Sequence, residues 1–300
     1  CSAGPALPDV APGAHGVTLA TTPGEILASP AIPMSADEAD LERRFGGLRR
    51  LYGPVGYARL RQARVAVVGV GGVGSWVAEA LARCGVAGLV LVDLDHVAES
   101  NINRQVQATS STVGQAKVLA LAERIAGIHP GCIVTGVEAF VAEDNWPAVL
   151  PGPVDAVVDA CDQVRAKAVI AAWSRAQGVP AVCVGAAGGK RRPQAVELDD
   201  LAAATHDPLL ARLRQRLRSL HGAPRQGPIG VRVVFSRAPV SAPVLACDLP
   251  QPGADAPAPQ VDGSLNCHGY GSTVTVTATF GLVAANAVIE TLVEGSSQGC

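Results

Sequence analysis

Gly69-Val70-Gly71-Gly72-Val73-Gly74-Ser75 decides the fold, through what flanks it on either side. Arg64-Val65-Ala66-Val67-Val68 precedes it, a short apolar run that reads as a buried parallel strand. Trp76 to Cys84 follows, Ala-rich and therefore helical, and Gly85 ends it. Leu89 to Val92 then predicts a second buried strand that finishes in Asp93. Strand, glycine turn, helix, strand and terminal carboxylate make a nucleotide-binding βαβ unit. Glycines let the backbone approach phosphate, and the helix N-terminus supplies unpaired N–H groups and a positive dipole. The expected class is α/β, a Rossmann-like, mainly parallel sheet with helices on both faces.

The following residues narrow the nucleotide. Asp93 stands about 20 residues past the glycines, the distance at which an acid reaches a ribose hydroxyl. Beyond it come Asp95, then Asn101-Ile102-Asn103-Arg104-Gln105, then Lys117 inside a helical run expected over Gly114 to Ala126. A dinucleotide's bridging phosphates need little beyond glycine backbone and helix dipole. A triphosphate carries more charge, and a departing pyrophosphate needs cations around it, a task that suits Arg104 and Lys117. Val154 to Asp159 reads as a further buried strand with Ala160-Cys161-Asp162 at its carboxyl end, where ligands of open α/β sheets sit. A carboxylate there is placed to hold Mg²⁺ against phosphate oxygens: Asp162 first, Asp159 as the alternative, unless either caps the helix starting near Gln163.

Together these residues resemble the ubiquitin-activating-enzyme-like adenylyltransferase superfamily, over roughly Arg43 to Thr291. Within it the chain is similar to the tRNA threonylcarbamoyladenosine dehydratase branch. The likeness rests on Arg44-Phe45-Gly46-Gly47-Leu48-Arg49-Arg50-Leu51-Tyr52-Gly53, on Ser75-Trp76, and on Asp162-Gln163-Val164-Arg165-Ala166-Lys167. Gly185-Ala186-Ala187-Gly188-Gly189, Asp207-Pro208-Leu209, Val234-Phe235-Ser236 and Val276-Thr277-Ala278-Thr279-Phe280-Gly281 continue it. The resemblance implies an ATP enzyme, with Gly69, Gly71, Gly72, Val73, Gly74 and Ser75 under the nucleotide and Asp93 on the ribose. Asp95, Asn103 and Gln105 join them at the nucleotide, Arg104 and Lys117 hold the phosphates, and Asp162 holds Mg²⁺. In this superfamily a dimer partner sends an arginine into the ATP site. The matching place here is Gly47, so Arg44 and Arg50 are the substitutes.

The resemblance also implies the substrate, tRNA bearing threonylcarbamoyl-adenosine, and the reaction, an ATP-dependent cyclising dehydration through an acyl adenylate. It implies a homodimer and admits a sulfur-transfer partner protein. The alternative is adenylation of the C-terminus of a sulfur-carrier or ubiquitin-like protein, and an NAD(P) oxidoreductase or a nucleotide-binding module without chemistry also stays open.

Composition bounds these readings. Three hundred residues with net charge −2 are no polycation, so any RNA contact must be local. Aromatics are 3%, which leaves the core to Ala, Val and Leu. Lys190, Arg191, Arg192, Arg212, Arg214, Arg216, Arg218 and Arg225 face only Glu197, Asp199, Asp200 and Asp207 across 190–225. Leu210, Leu213, Leu217 and Leu220 predict an amphipathic helix there, its arginines either a solvated face or a phosphate-binding surface for tRNA. None of the eight cysteines forms a CxxC pair, which argues against structural zinc and against the carrier-serving branch. Cys84, Cys132, Cys161 and Cys183 lie in apolar runs as small core residues, and only Cys267, before His268, stands beside a potential base. Reduced thiols and a cytoplasmic setting follow.

Residues 1–33 hold only Asp9 and Glu25 as charges and are rich in Ala, Pro and Gly. They read as a disordered extension ahead of Met34, the single methionine, with 34–300 as one ATP-binding adenylation domain. Six prolines between Arg237 and Val261 predict a long surface loop. Val274 to Val293 is apolar, but its threonines, Asn286 and Glu290 favour a packed final helix over a membrane span.

Overall fold

The computed structural model describes residues 38–241 and 270–295. The expectations for residues 1–33, for Met34, for most of the 237–261 loop and for Cys267 and His268 lie outside the described residues.

Alternation along the strands places the core. Val65 and Val67 of β1 (Arg64–Val68) pack with Leu89 and Leu91 of β2 (Gly88–Val92) against Val77 and Leu81 of α2 (Gly74–Arg83). Ala66, Val68, Val90 and Val92 point the opposite way, onto Trp146, Ala166 and Ile170. Both faces are covered, which is why these strands read as unbroken apolar runs rather than alternating ones. The sheet has seven strands in the order β3-β2-β1-β4-β5-β7-β6. Besides β1 and β2 these are β3 (Ile133–Val137), β4 (Ala156–Asp159), β5 (Ala181–Val184), β6 (Val196–Asp200) and β7 (Arg232–Ser236). All pair in parallel except β6, which runs antiparallel to β7 at the edge. In the register Val67 stands between Leu91 and Val158, so β1 is central and the strand order reverses beside it. That reversal opens the crevice where α/β sheets take ligands.

The other helices are α1 (Glu38–Leu60, kinked at Gly53), α3 (Lys117–Ile128), α4 (Val164–Gln177), α5 (Pro208–Leu220) and α6 (Val274–Glu294). α6 is long and apolar enough to cross a membrane, yet half of it is buried inside the fold. Phe280, Ala284 and Ala287 sink fully into the core, as expected of a packed final helix.

Three expectations need correction. α3 starts at Lys117, not Gly114, because residues 109–116 are held by their own turn bonds, Thr112 N to Thr109 O and Gln115 N to Thr112 O. Lys117 is therefore a first-turn residue. Leu220 is 61% exposed, because α5 ends there and its chain turns away, although Leu210, Leu213 and Leu217 are buried as read. The arginines of α5 are not simply solvated: Arg214 donates to Leu201 O and Ala204 O, Arg218 to Pro224 O, and Arg216 pairs with Glu143.

Candidate active site

The glycine turn is wedged between the ends of β2 and β4. Gly69 N–H donates to Val92 O and Ala160 N–H to Val68 O, both at 2.8 Å. Gly69 has φ +82°, and a Cβ there would lie 2.9 Å from Cys161 N and 3.0 Å from Ala160 O. A Cβ on Gly74 would lie 1.8 Å from Gly69 O. Both positions need glycine, one for its conformation and both for lack of space. Among the described residues, the N–H groups of Gly71, Gly72 and Val73 make no backbone hydrogen bond, and these residues stay partly open to solvent. They lead directly into the α2 N-terminus, where Val73 offers no side-chain cap. A row of free N–H groups ahead of a helix dipole is an anion cradle.

Charged groups ring it. Asp93 Oδ2 accepts from Val70 N at 2.8 Å and Oδ1 from Asp95 N at 2.9 Å. Burial pushes the Asp93 carboxyl above the ordinary carboxylate range, opposed by Lys117 and by those two N–H donors. Lys117 Nζ lies 2.6 Å from Asp95 Oδ2 and 4.0 Å from Asp93 Oδ1. The lysine side chain is only 8% exposed while that of Asp95 is 57% exposed, so the pair opens to solvent on its acidic side. Arg104 is buried, its Nη1 bonded to Ser100 O and to Asn103 Oδ1 and its Nε without a partner. Asn103 donates to Ser272 O, tying this segment to the approach of α6. Ser75 lies inside α2 and accepts from Val106 N, so it holds the 104–106 segment rather than facing a ligand. Trp76 does the same through Nε1 to Arg104 O. Gln105 has its amide 3.9 Å from where a Gly71 Cβ would stand, beside the cradle.

At the end of β4 the two candidate metal carboxylates part company. Asp159 is fully buried, with Lys167 Nζ 3.2 Å from Oδ1 and Cys161 Sγ 2.9 Å from the same oxygen. Burial alone would lower the Lys167 ammonium, but the adjoining carboxylate more than reverses this and holds it above its ordinary value. Burial, reinforced by Asp159, pushes the Cys161 thiol well up, so it is inert. Asp159 Oδ1 is thus taken up inside the fold, while Oδ2, buried as well, has no hydrogen-bond partner among the described residues. Asp162 stands exposed past the strand end, and Gln163 rather than either acid is the N-cap residue of α4. Among the described residues no group of three or more His, Cys, Asp or Glu is placed to hold a metal ion by itself. One carboxylate at Asp162 fits Mg²⁺, which is satisfied by one or two carboxylates plus substrate phosphates and water.

Sequence reasoning missed two residues here. Gln107, 2% exposed, donates from Nε2 to Val70 O at 2.9 Å, and Lys167 anchors the β4 end. Gln107 stands two residues past the polar Asn-x-x-Arg-Gln run, a proximity that was the only available signal. Lys167 lay within the quoted stretch but carried no assigned role. Arg44 and Arg50 are not brought to the cradle within this chain. Arg44 donates to Ile128 O, at the opposite end of α3 from Lys117, and Arg50 is exposed on α1.

The family model described as ThiF family matches residues 45–298. The chain belongs to the ThiF family. This ThiF-family chain is 41% identical, over 261 residues, to the tRNA threonylcarbamoyladenosine dehydratase of Escherichia coli K12, covering 86% of this chain and 96% of that protein. It is 38% identical to the protein of the same name from Haemophilus influenzae, over 85% of this chain and 95% of that one. The crystal structure of the E. coli tRNA N6-threonylcarbamoyladenosine dehydratase in complex with ATP matches with TM-score 0.74 at 39% identity, covering 86% of this chain and 97% of that one.

Proposed function

We propose that this ThiF-family chain is an ATP-dependent dehydratase of threonylcarbamoyl-adenosine in tRNA. The observation that carries this reading is the likeness to dehydratases over nearly their whole length, coupled to a phosphate cradle flanked by Lys117 and Arg104. The proposed residue roles are these. The N–H groups of Gly71, Gly72 and Val73 bind phosphate oxygens, and Asp93, already fixed by two backbone bonds, turns its remaining lone pairs to the ribose. Asp95, Asn103 and Gln105 border the nucleotide. Lys117 and Arg104 stabilise charge that grows on the departing pyrophosphate. Asp162 would hold Mg²⁺, which would supply charge neutralisation at the phosphates.

The chemistry then needs no protein nucleophile. The threonyl carboxylate attacks the α-phosphorus, the bond to the bridging oxygen breaks, and pyrophosphate leaves. The carbamoyl oxygen next attacks the activated acyl carbon, AMP departs with one former carboxylate oxygen, and the ring closes with loss of a proton. A free carboxylate is a poor acyl donor at neutral pH, which is why ATP is spent, and closure gains from proximity within one nucleoside. A homodimer, with Arg44 or Arg50 reaching the partner's site, and a cytoplasmic setting belong to the same proposal. So does a single domain over 34–300.

Incubation with ATP, Mg²⁺ and threonylcarbamoylated tRNA, followed by mass spectrometry of gently digested nucleosides, tests it. Loss of one water from the modified adenosine, dependent on ATP, is the expected result. An unchanged nucleoside, with ATP–pyrophosphate exchange appearing only with a Gly-Gly-ended carrier protein, would transfer the reading to the carrier branch.

A further inference from the structure

We propose that Gln107 is a positioning residue of the nucleotide site, its side-chain amide locking the Val70–Gly71 peptide so that the Gly71 N–H faces the phosphates. The inference rests on reading the glycine turn as a phosphate cradle.

The two backbone groups of Val70 are each held by a side chain. Its N–H donates to Asp93 Oδ2 at 2.8 Å, and its C=O accepts from Gln107 Nε2 at 2.9 Å. The orientation of the Gln107 amide is set by chemistry: Val70 O can only accept, and the second neighbour of the same nitrogen, Gln105 Oε1 at 3.4 Å, is also an acceptor. Gln107 is buried, and its backbone carbonyl accepts from Thr112 Oγ1 at 2.8 Å, which holds the main chain there. Its side-chain Oε1 has no hydrogen-bond partner among the described residues, so the amide is placed through Nε2 alone. A trans peptide points its N–H opposite to its C=O. With Val70 O turned inward onto Gln107, the Gly71 N–H must therefore face away from Gln107, among the free N–H groups of the cradle.

The lock is needed because the peptide is otherwise easy to turn over. Gly71 has no Cβ, so a compensating rotation of Val70 ψ and Gly71 φ meets little steric resistance. The flipped state replaces an N–H donor with a carbonyl oxygen aimed at the phosphates, which removes one contact and adds a repulsion. Asp93 does not prevent this, because it holds the preceding peptide. Gln107 does.

The test uses Gln107→Met, which keeps the length of the side chain and removes its donor. Dissociation constants for ATP and for adenosine are measured by calorimetry on the substituted and unsubstituted chains, with thermal melting as a check on folding. ATP binding is expected to weaken about tenfold, the scale of one lost hydrogen bond in a partly buried site, while adenosine binding stays the same. Unchanged ATP affinity in a folded variant, or equal weakening for ATP and adenosine, would overturn the proposal. Should the variant fail to fold, the unsubstituted chain labelled with ¹⁵N-glycine answers the question: the Gly71 amide resonance is expected to shift with ATP and not with adenosine, and a Gly71 amide unmoved by ATP would overturn it. Failure of the unsubstituted chain to bind ATP at all would instead overturn the reading on which the proposal rests.

Discussion

Two lysine–aspartate pairs flank the glycine turn, and they differ in one physical respect. At the end of β2, Lys117 meets Asp95 at 2.6 Å with the aspartate side chain 57% exposed. At the end of β4, Lys167 meets Asp159 at 3.2 Å with both side chains at 0%. The two share a plan, a strand-end acid and a lysine from the next helix. The dry pair has its charges committed to each other and to the Asp159 carbonyl, and it fixes the strand end against which Gly69 packs. The wet pair keeps its acidic side in water, so its lysine can exchange a carboxylate for a phosphate without stranding a buried charge. Position at a strand end nominates a carboxylate, and exposure separates the Lys117 pair from the Lys167 pair.

The largest effect is expected from breaking the dry pair. Lys167→Met leaves Asp159 buried and unpaired and should lower unfolding free energy by about 3–5 kcal/mol, read by urea denaturation. The double variant Asp159→Asn with Lys167→Met should recover most of it. A Lys167→Met chain as stable as the parent would erase the distinction between the pairs.

Breaking the wet pair should spare the fold and harm the chemistry. Lys117→Met is expected to lower kcat by about 10²–10³, the scale for one preorganised charge donor, with a smaller stability loss than Lys167→Met. Equal stability losses would show that both pairs are structural. Asp162→Ala sharpens the contrast between the two β4 acids. It should leave stability within about 0.5 kcal/mol, as for an exposed substitution, and raise the Mg²⁺ concentration needed for half-maximal rate. An unaltered Mg²⁺ dependence would remove Asp162 from the site.

The glycine turn, Asp93, Arg104, Lys117 and Asp162 are nominated by the sequence because each sits in or just after a strong local signal: an apolar strand, a glycine cluster, a helix start. The parallel sheet was legible for the same reason, since unbroken apolar runs mean strands buried on both faces. Gln107 was not, because its role exists only through a hydrogen bond to Val70, 37 residues away in sequence. The separation of Asp159 from Asp162 was hidden too: three residues apart, they differ only in which faces the interior. The start of α3 was blurred because Gly114-Gln115-Ala116 carries no strong stop, while the end of the apolar face of α5 was overrun by a leucine that keeps the period after packing has ceased.

A control on pH completes the comparison. His129 is buried, with Nε2 2.7 Å from Arg61 Nη1, and burial, then the charges of Arg61 and Arg44, lower it to about 4. The unfolded chain takes up a proton near pH 6.5 that the fold refuses until about 4. The stabilisation is therefore complete above about 6.5 and lost as pH falls toward about 4. Stability profiles of the parent and His129→Gln chains should diverge in that window alone, and a parent profile flat across it would contradict the assignment. Comparisons of the two lysine pairs belong above pH 6.5, where His129 contributes no slope.

The most direct test of the central claim follows the oxygen. Threonylcarbamoylated tRNA labelled with ¹⁸O in the threonyl carboxylate is turned over with unlabelled ATP, and the products are weighed by mass spectrometry. Attack on the α-phosphorus at this site predicts one ¹⁸O in AMP and none in pyrophosphate. Label in inorganic phosphate beside ADP, or AMP free of label, would contradict an acyl adenylate and with it the role given to the cradle.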